Sequence, residues 1–272
     1  MQPQTKDSMN VLSQIIAKKR ERVEEARRVV PLERLRTEAL ATREHAPPHA
    51  LRRALQSDGI NIIAEFKRRS PSKGVIRDDA DLSQIVRSYQ AGGAAAISVL
   101  TEQDYFDGSL ADLEVVKTCV ELPVLRKDFV FDPYQVFEAA ATGADAVLLI
   151  VAVLDDGELE SLRRLAEDEL EMDALVEVHN SEEMDRAARC GAKLIGINNR
   201  DLRTFEVTLD TSLELAKVAP NGTLLVSESG LNHSEELQRL REQGFSGFLI
   251  GESLMRAHCP EAALRELRND RS

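Results

Sequence analysis

Ala146-Val147-Leu148-Leu149-Ile150-Val151-Ala152, then the amphipathic stretch Glu158–Leu170, then Ala174-Leu175-Val176-Glu177-Val178: this passage decides the fold. Two short runs of Val, Leu and Ile with almost no polar alternation flank a segment with helical spacing. Strands that are apolar on both sides must be covered on both faces, which is the condition of strands in a parallel sheet. A parallel pair also needs a long crossover, and a helix of this length supplies it.

The same unit recurs outward in both directions. Further apolar runs are Ile60–Phe66, Ala94–Leu100, Pro123–Arg126, Leu194–Ile197, Thr223–Val226 and Gly247–Ile250. Between them lie helical patterns at Asp81–Ala91, Leu110–Val120, Pro133–Thr142, Glu182–Cys190 and Glu235–Gln243. Gly92, Gly143, Gly191 and Gly244 follow four of these helices, where a left-handed residue ends a helix at least cost. Eight strand–helix units in this length predict an α/β fold of the (β/α)8 TIM-barrel type. A doubly wound open sheet is the alternative, but no G-x-G-x-x-G follows the first run.

Upstream of Ile60 the pattern has no strand. Val11–Val30 reads as an amphipathic helix, with Asn10 as its cap and Pro31 as its end, and a weaker helix follows from Leu32 to about Thr42. Pro47 and Pro48 then lead to a short helix before Gly59. Residues 1–56 are expected to form an N-terminal helical extension packed on a barrel of residues 57–272, one structural domain in all.

Composition narrows the function classes. The chain has 272 residues, 43% hydrophobic and 30% charged, which suits a large core and excludes wholesale disorder. A net charge of -12 gives no general attraction for nucleic acid or anionic membranes, and neither is expected as a partner. The first ten residues are polar, and the longest apolar run, Ala144–Leu154, carries Asp145 and is too short to span a bilayer. Cys119, Cys190 and Cys259 lie far apart without metal-ligand spacing and read as packing residues of a cytoplasmic protein.

Active sites of such barrels sit at the carboxyl ends of the strands. Those ends carry Glu65 and Lys67, Thr101 and Glu102, Lys127 and Asp128, Glu177 and His179, Asn198 and Arg200, Glu228 and Ser229, and Gly251 and Glu252. Glu65 and Lys67 stand two apart on a strand and share a face, so they form an ion pair at either a solvated rim or a working site. The basic loop Lys67-Arg68-Arg69-Ser70-Pro71-Ser72-Lys73-Gly74 favours the second, since it can fold over an anion. Lys127 beside Asp128 reads, from the residues alone, as a rim salt bridge before an acid, and Asn198-Asn199-Arg200-Asp201 and Ser229-Gly230 also read as turns. The five histidines read as structural.

These segments resemble indole-3-glycerol-phosphate synthases. The resemblance runs in order through Glu65-Phe66-Lys67-x-x-Ser70-Pro71-Ser72, Ser98-Val99-Leu100-Thr101-Glu102 with Phe106-x-Gly108-Ser109, and Leu125-Arg126-Lys127-Asp128-Phe129. It continues through Leu175-Val176-Glu177-Val178-His179, Gly196-Ile197-Asn198-Asn199-Arg200-Asp201-Leu202, Ser227-Glu228-Ser229-Gly230 and Leu249-Ile250-Gly251-Glu252-Ser253-Leu254-Met255. Arg77-Asp78-Asp79-Ala80-Asp81 departs from the Asp-Phe-Asp-Pro type of turn more usual there.

The resemblance implies an enzyme needing no metal and no organic cofactor, acting on a phosphorylated small molecule as a monomer or, alternatively, a dimer. It implies Lys127 as the acid for ring closure, with Glu177 assisting dehydration and Glu65 and Lys67 moving protons. Asn198 and Ser229 complete the catalytic set. Ser70, Phe129, Arg200 and Glu228 are implied to bind substrate, with Phe129 walling the aromatic ring. The phosphate is expected at Gly230, Gly251 and the backbone of Glu252, where a short helix presents free N–H groups. A Cβ at either glycine is expected to intrude on the anion. The rival functions are another phosphate-binding barrel, such as a phosphoribosylanthranilate isomerase, and a catalytically silent barrel that binds a phosphometabolite.

Overall fold

The computed structural model describes residues 8–77, 80–201 and 204–269. Eight parallel strands close into a barrel: β1 (Ile62–Phe66), β2 (Ala96–Leu100), β3 (Val124–Lys127), β4 (Ala146–Ile150), β5 (Asp173–Val178), β6 (Leu194–Asn198), β7 (Leu224–Glu228) and β8 (Phe245–Ile250). Each strand pairs with its neighbour in sequence, and β1 closes on β8 through the register Ile63↔Leu249.

Three helices precede the barrel: α1 (Ser8–Val29), α2 (Leu32–Glu44) and α3 (Ala50–Ala54). The outer ring follows as α4 (Leu82–Ala91), α5 (Leu110–Cys119), α6 (Pro133–Ala141), α7 (Asp156–Arg164), α8 (Ser181–Arg189), α9 (Asp210–Leu215) and α10 (Ser234–Glu242). Two more, α11 (Glu252–Arg256) and α12 (Pro260–Arg268), come after β8. Side chains start several of these as the sequence leads one to expect: Asp81 and Ser109 accept the amides of Gln84 and Asp112, and Asp155 and Glu158 form a reciprocal box.

Side-chain alternation divides the core in two. Outward residues such as Ile97, Val147, Val176 and Ile195 meet the helices in a continuous shell. Inward residues such as Ile63, Leu125, Leu148, Leu175, Val226 and Leu249 fill the barrel. Leu51 and Leu55 of α3 belong to this inner cluster, so α3 plugs the floor. Burying two leucines there contributes roughly 1.5–3 kcal/mol each. Arg52 holds α3 to Asp173 at the start of β5, and the Asn61 amide donates to the carbonyls of Leu55, Ser57 and Ser246.

Several local expectations are revised. The first helix already runs from Ser8, so Asn10 lies inside it and does not cap it. Gly92 has an ordinary right-handed backbone (φ -76), and Gly93 takes the left-handed position (φ 83). Gly92 is small for another reason: a Cβ there would lie 2.9 Å from both the Glu261 carbonyl oxygen and Leu264 Cβ of α12. Gly143, Gly191 and Gly244 do have positive φ. The single helix expected over Glu158–Leu170 changes at Leu165 into a wide π turn ending at Glu169. Cys190 is buried and Cys119 half-buried, but Cys259 is exposed, so the reading as a packing residue does not suit it. Asp78, Asp79 and Leu202 lie outside the described residues.

No helix among the described residues is long and apolar enough to cross a membrane.

Candidate active site

The aliphatic filling of the barrel stops below the carboxyl ends of the strands, and a cavity of about 480 Å³ opens there. Every residue that the resemblance assigns to the site lies on its wall, whereas Thr101, Glu102 and His179, at the same strand ends, do not line it. Period-two alternation explains the convergence: Glu65, Lys127, Glu177, Asn198 and Glu228 continue the inward rows of Ile63, Leu125, Leu175, Leu194 and Val226.

Lys127 stands at the centre. Its Nζ lies 3.2 Å from Glu177 Oε2 and 3.2 Å from Glu228 Oε2. Burial disfavours its charge, but Glu228, Glu177 and Glu65 together outweigh that and hold the ammonium well above its usual range. Asp128, its neighbour in sequence, faces the other way. It is wholly buried and takes Lys19 of α1, Arg126 and the Thr101 hydroxyl. Burial pushes Asp128 up, yet Lys19 and Arg126 bring it down to about 2. The rim pairing of Lys127 with Asp128 is therefore excluded.

The two carboxylates flanking Lys127 differ in their support. Glu177 Oε1 lies 3.3 Å from His179 Nε2, and His179 Nδ1 lies 3.0 Å from Glu183. Burial lowers the imidazole, but the hydrogen bonds to Glu177 and Glu183 lift it to about 10, so it is a cation at neutral pH. Burial also acts against the Glu177 charge; Lys127, His179 and Asn198 overcome it and keep Glu177 well below the carboxylate range. Among the described residues, Glu228 pairs only with Lys127. Burial and the nearby Glu177 and Glu65 push it up to about 7. Its carboxylate sits deeper than a simple binding shell, in a slot beside Gly196, where a Cβ would lie 2.1 Å from Oε1.

Lys67 pairs with Glu65, as the shared strand face requires. Asn198 accepts the Arg200 amide through Oδ1, and the Arg200 guanidinium donates to the Phe205 carbonyl. The segment is thus both a turn and a cavity wall. Ser229 has positive φ (70), and the Asn199 amide donates to its carbonyl and to Ser227 Oγ.

The two glycines are explained differently from the sequence expectation. A Cβ at Gly230 would lie 2.4 Å from Val207 Cγ1, and its φ of +81 also demands glycine. A Cβ at Gly251 would lie 2.5 Å from Glu65 Oε1. The vacancy at Gly230 admits Val207, and that at Gly251 admits the Glu65 carboxylate. The Glu252 side chain turns to Arg256 (3.2 Å) and Lys73 (3.9 Å).

Sequence reasoning passed over part of the wall. Val11, Leu12 and Ile15 of α1 line the cavity; the resemblance puts the helical leader near the active site but names none of these residues. Phe106 joins Phe129 with ring centroids 6.3 Å apart, making a second aromatic face. His179, read as structural, orients the essential-looking Glu177. The apolar stripe of the first helix shows that α1 packs on something; that it packs near the site came from the resemblance and not from any local pattern.

Comparison with known proteins agrees with the geometry. The family model described as indole-3-glycerol phosphate synthase matches residues 12–267. The chain belongs to the indole-3-glycerol phosphate synthase family. A relative of that name from Carboxydothermus hydrogenoformans is 47% identical over 261 residues, covering 94% of this chain and 98% of the relative. Another from Koribacter versatilis is 49% identical over 227 residues, covering 82% and 86%. Indole-3-glycerol phosphate synthases are carboxy-lyases of tryptophan biosynthesis that act on a phosphorylated small molecule. The fold is shared more widely: 3-hexulose-6-phosphate synthase from Salmonella typhimurium superposes with a TM-score of 0.62 at 14% identity, over 77% of this chain and 97% of that one.

Proposed function

We propose that this cavity converts 1-(2-carboxyphenylamino)-1-deoxyribulose 5-phosphate into indole-3-glycerol phosphate, carbon dioxide and water, with Lys127 as the acid of ring closure. The observation that carries this role is the Lys127 ammonium held between two buried carboxylates at the cavity floor. A charge held there can protonate the ribulose carbonyl as the aromatic carbon attacks it. Phe129 and Phe106, together with Leu12 and Ile15 of the same cavity lining, offer apolar surface for the carboxyphenyl ring.

Glu177, kept ionised by Lys127 and His179, suits the acceptance of a proton during dehydration, while the Glu65–Lys67 pair serves the second transfer. Asn198 and Ser229 position the reacting atoms, and Arg200 and Glu228 close the wall around them. The phosphate fits the opposite rim, between Ser70, the backbone after Gly230 and the first turn of α11 at Gly251 and Glu252. There the Ser253 hydroxyl is buried without a hydrogen-bond partner among the described residues, as a group awaiting an acceptor would be. The enzyme is proposed to act in the cytoplasm as a monomer.

Lys127→Met keeps the stem and removes the proton. Turnover, followed by indole fluorescence, is expected to fall by a factor on the order of 10²–10⁴. Near-normal turnover in this variant would assign ring closure to another acid, and no product from the wild-type chain would leave a silent binding barrel.

A further inference from the structure

The proton inventory of the reaction proposed above does not close on Lys127 alone. The carbonyl oxygen leaves as water, so it collects two protons. Carbon dioxide departs from an ionised carboxylate and carries none away. One proton is released from the methylene carbon beside the nitrogen as the indole double bond forms. Each turnover of the ionised substrate therefore takes up one proton, and some group beside the carbonyl oxygen must deliver it.

The charges around Lys127 single out where that proton resides. Lys67 is paired with Glu65, and His179 is clamped between Glu177 and Glu183. Lys127 serves Glu177 and Glu228 together, so Glu228 has no cation of its own. Arg200, on the same wall, is bonded to the Phe205 carbonyl, and the Asn198 oxygen is bonded to the Arg200 amide. Glu228 is 1% exposed, and neither of its oxygens meets a hydrogen-bond donor in good geometry. Two anions sharing one buried ammonium are a poor arrangement, and the carboxyl with the fewest donors is the one that stays protonated. The absence of a side chain at Gly196 leaves room for the Glu228 carboxyl against Lys127.

We infer that Glu228 enters turnover as a carboxylic acid and recharges Lys127, supplying the proton that the reaction consumes. This rests on the function proposed above. Lys127 gives a proton to the carbonyl oxygen while the π pair of the C=O bond becomes the new O–H bond, and it is left as a neutral amine. The Glu228 O–H proton then crosses to Lys127 Nζ, a contact of 3.2 Å, leaving a carboxylate that Lys127, again an ammonium, stabilises. The recharged Lys127 is ready for the departing hydroxyl, and solvent restores Glu228 after product release. The lift of the Glu228 carboxyl to about 7 agrees with an acid that is filled near neutral pH.

Glu228→Gln keeps the shape and removes the transferable proton. Two readouts are compared one pH unit either side of about 7. In infrared difference spectra, the wild type is expected to show a carboxylic-acid C=O stretch that disappears as pH rises, and the variant to lack it. In kinetics, wild-type kcat falls as pH rises through this range, whereas the variant is flat there and on the order of 10²-fold slower at the acidic side. A variant that keeps the pH limb, or still shows the titrating band, overturns the inference. Should Glu228→Gln not fold, Gly196→Ala pushes the carboxyl from its slot and must move limb and band together; an unmoved pair overturns it equally. Failure of the wild type to make indole product would overturn the proposed function instead, and the infrared band would still decide the state of Glu228.

Discussion

Gly251→Ala separates two accounts of the cavity rim. In the structure the missing Cβ faces Glu65: an added methyl would lie 2.5 Å from Oε1 and 3.0 Å from Cβ of that residue. Carbon and oxygen do not settle closer than about 3.3–3.6 Å, so the carboxylate must retreat by roughly 1 Å. The backbone is no obstacle, because φ at Gly251 is -126 and any residue adopts it. Crowding costs about 1–3 kcal/mol of stability, well short of unfolding a barrel of this size. Activity suffers more, since Glu65 carries Lys67 with it, and a displacement of about 1 Å in a reacting constellation typically costs on the order of 10²-fold. The expected outcome is a kcat lowered by about that factor with KM changed by only a few-fold, measured by indole fluorescence beside a thermal melt. A raised KM with unchanged kcat would refute the reasoning and restore the expectation that the glycine clears space for the phosphate.

Two further outcomes follow from the buried ions. The His179 imidazole is raised from about 6.5 in the unfolded chain to about 10 in the fold, so its contribution is full below the lower value and is lost as pH rises through the upper one. Tm of the wild type should therefore decline across that window, and His179→Gln should start lower at neutral pH and decline less; parallel curves would show that the clamp adds no stability. Lys19→Met strips the α1 cation from the buried Asp128, and with Arg126 and Thr101 still in place the loss should be near about 3 kcal/mol in denaturant unfolding. The same change loosens the helix that brings Leu12 and Ile15 to the cavity, so KM should rise, and an unaltered KM would detach α1 from substrate binding.

The strands, the ring helices and the identity of the residues at the barrel mouth were legible in the sequence because each depends on a local period. A run such as Ala146–Ile150 is apolar on both sides wherever it folds, and alternation puts Glu65 and Lys67 on one face without any knowledge of neighbours. Pairing across the barrel has no such local signature. Lys127 is next to Asp128 in the chain, yet it meets Glu177, 50 residues on, and Glu228, while Asp128 meets Lys19 from 109 residues earlier. The glycines show the same divide: their smallness was visible, but what occupies the missing Cβ at Gly196, Gly230 and Gly251 is a side chain from another element in every case. Closing the barrel also decided which carboxyl keeps its proton, because burial, one shared ammonium and a neighbouring anion act on Glu228 only after β3, β5 and β7 have brought Lys127 and Glu177 against it.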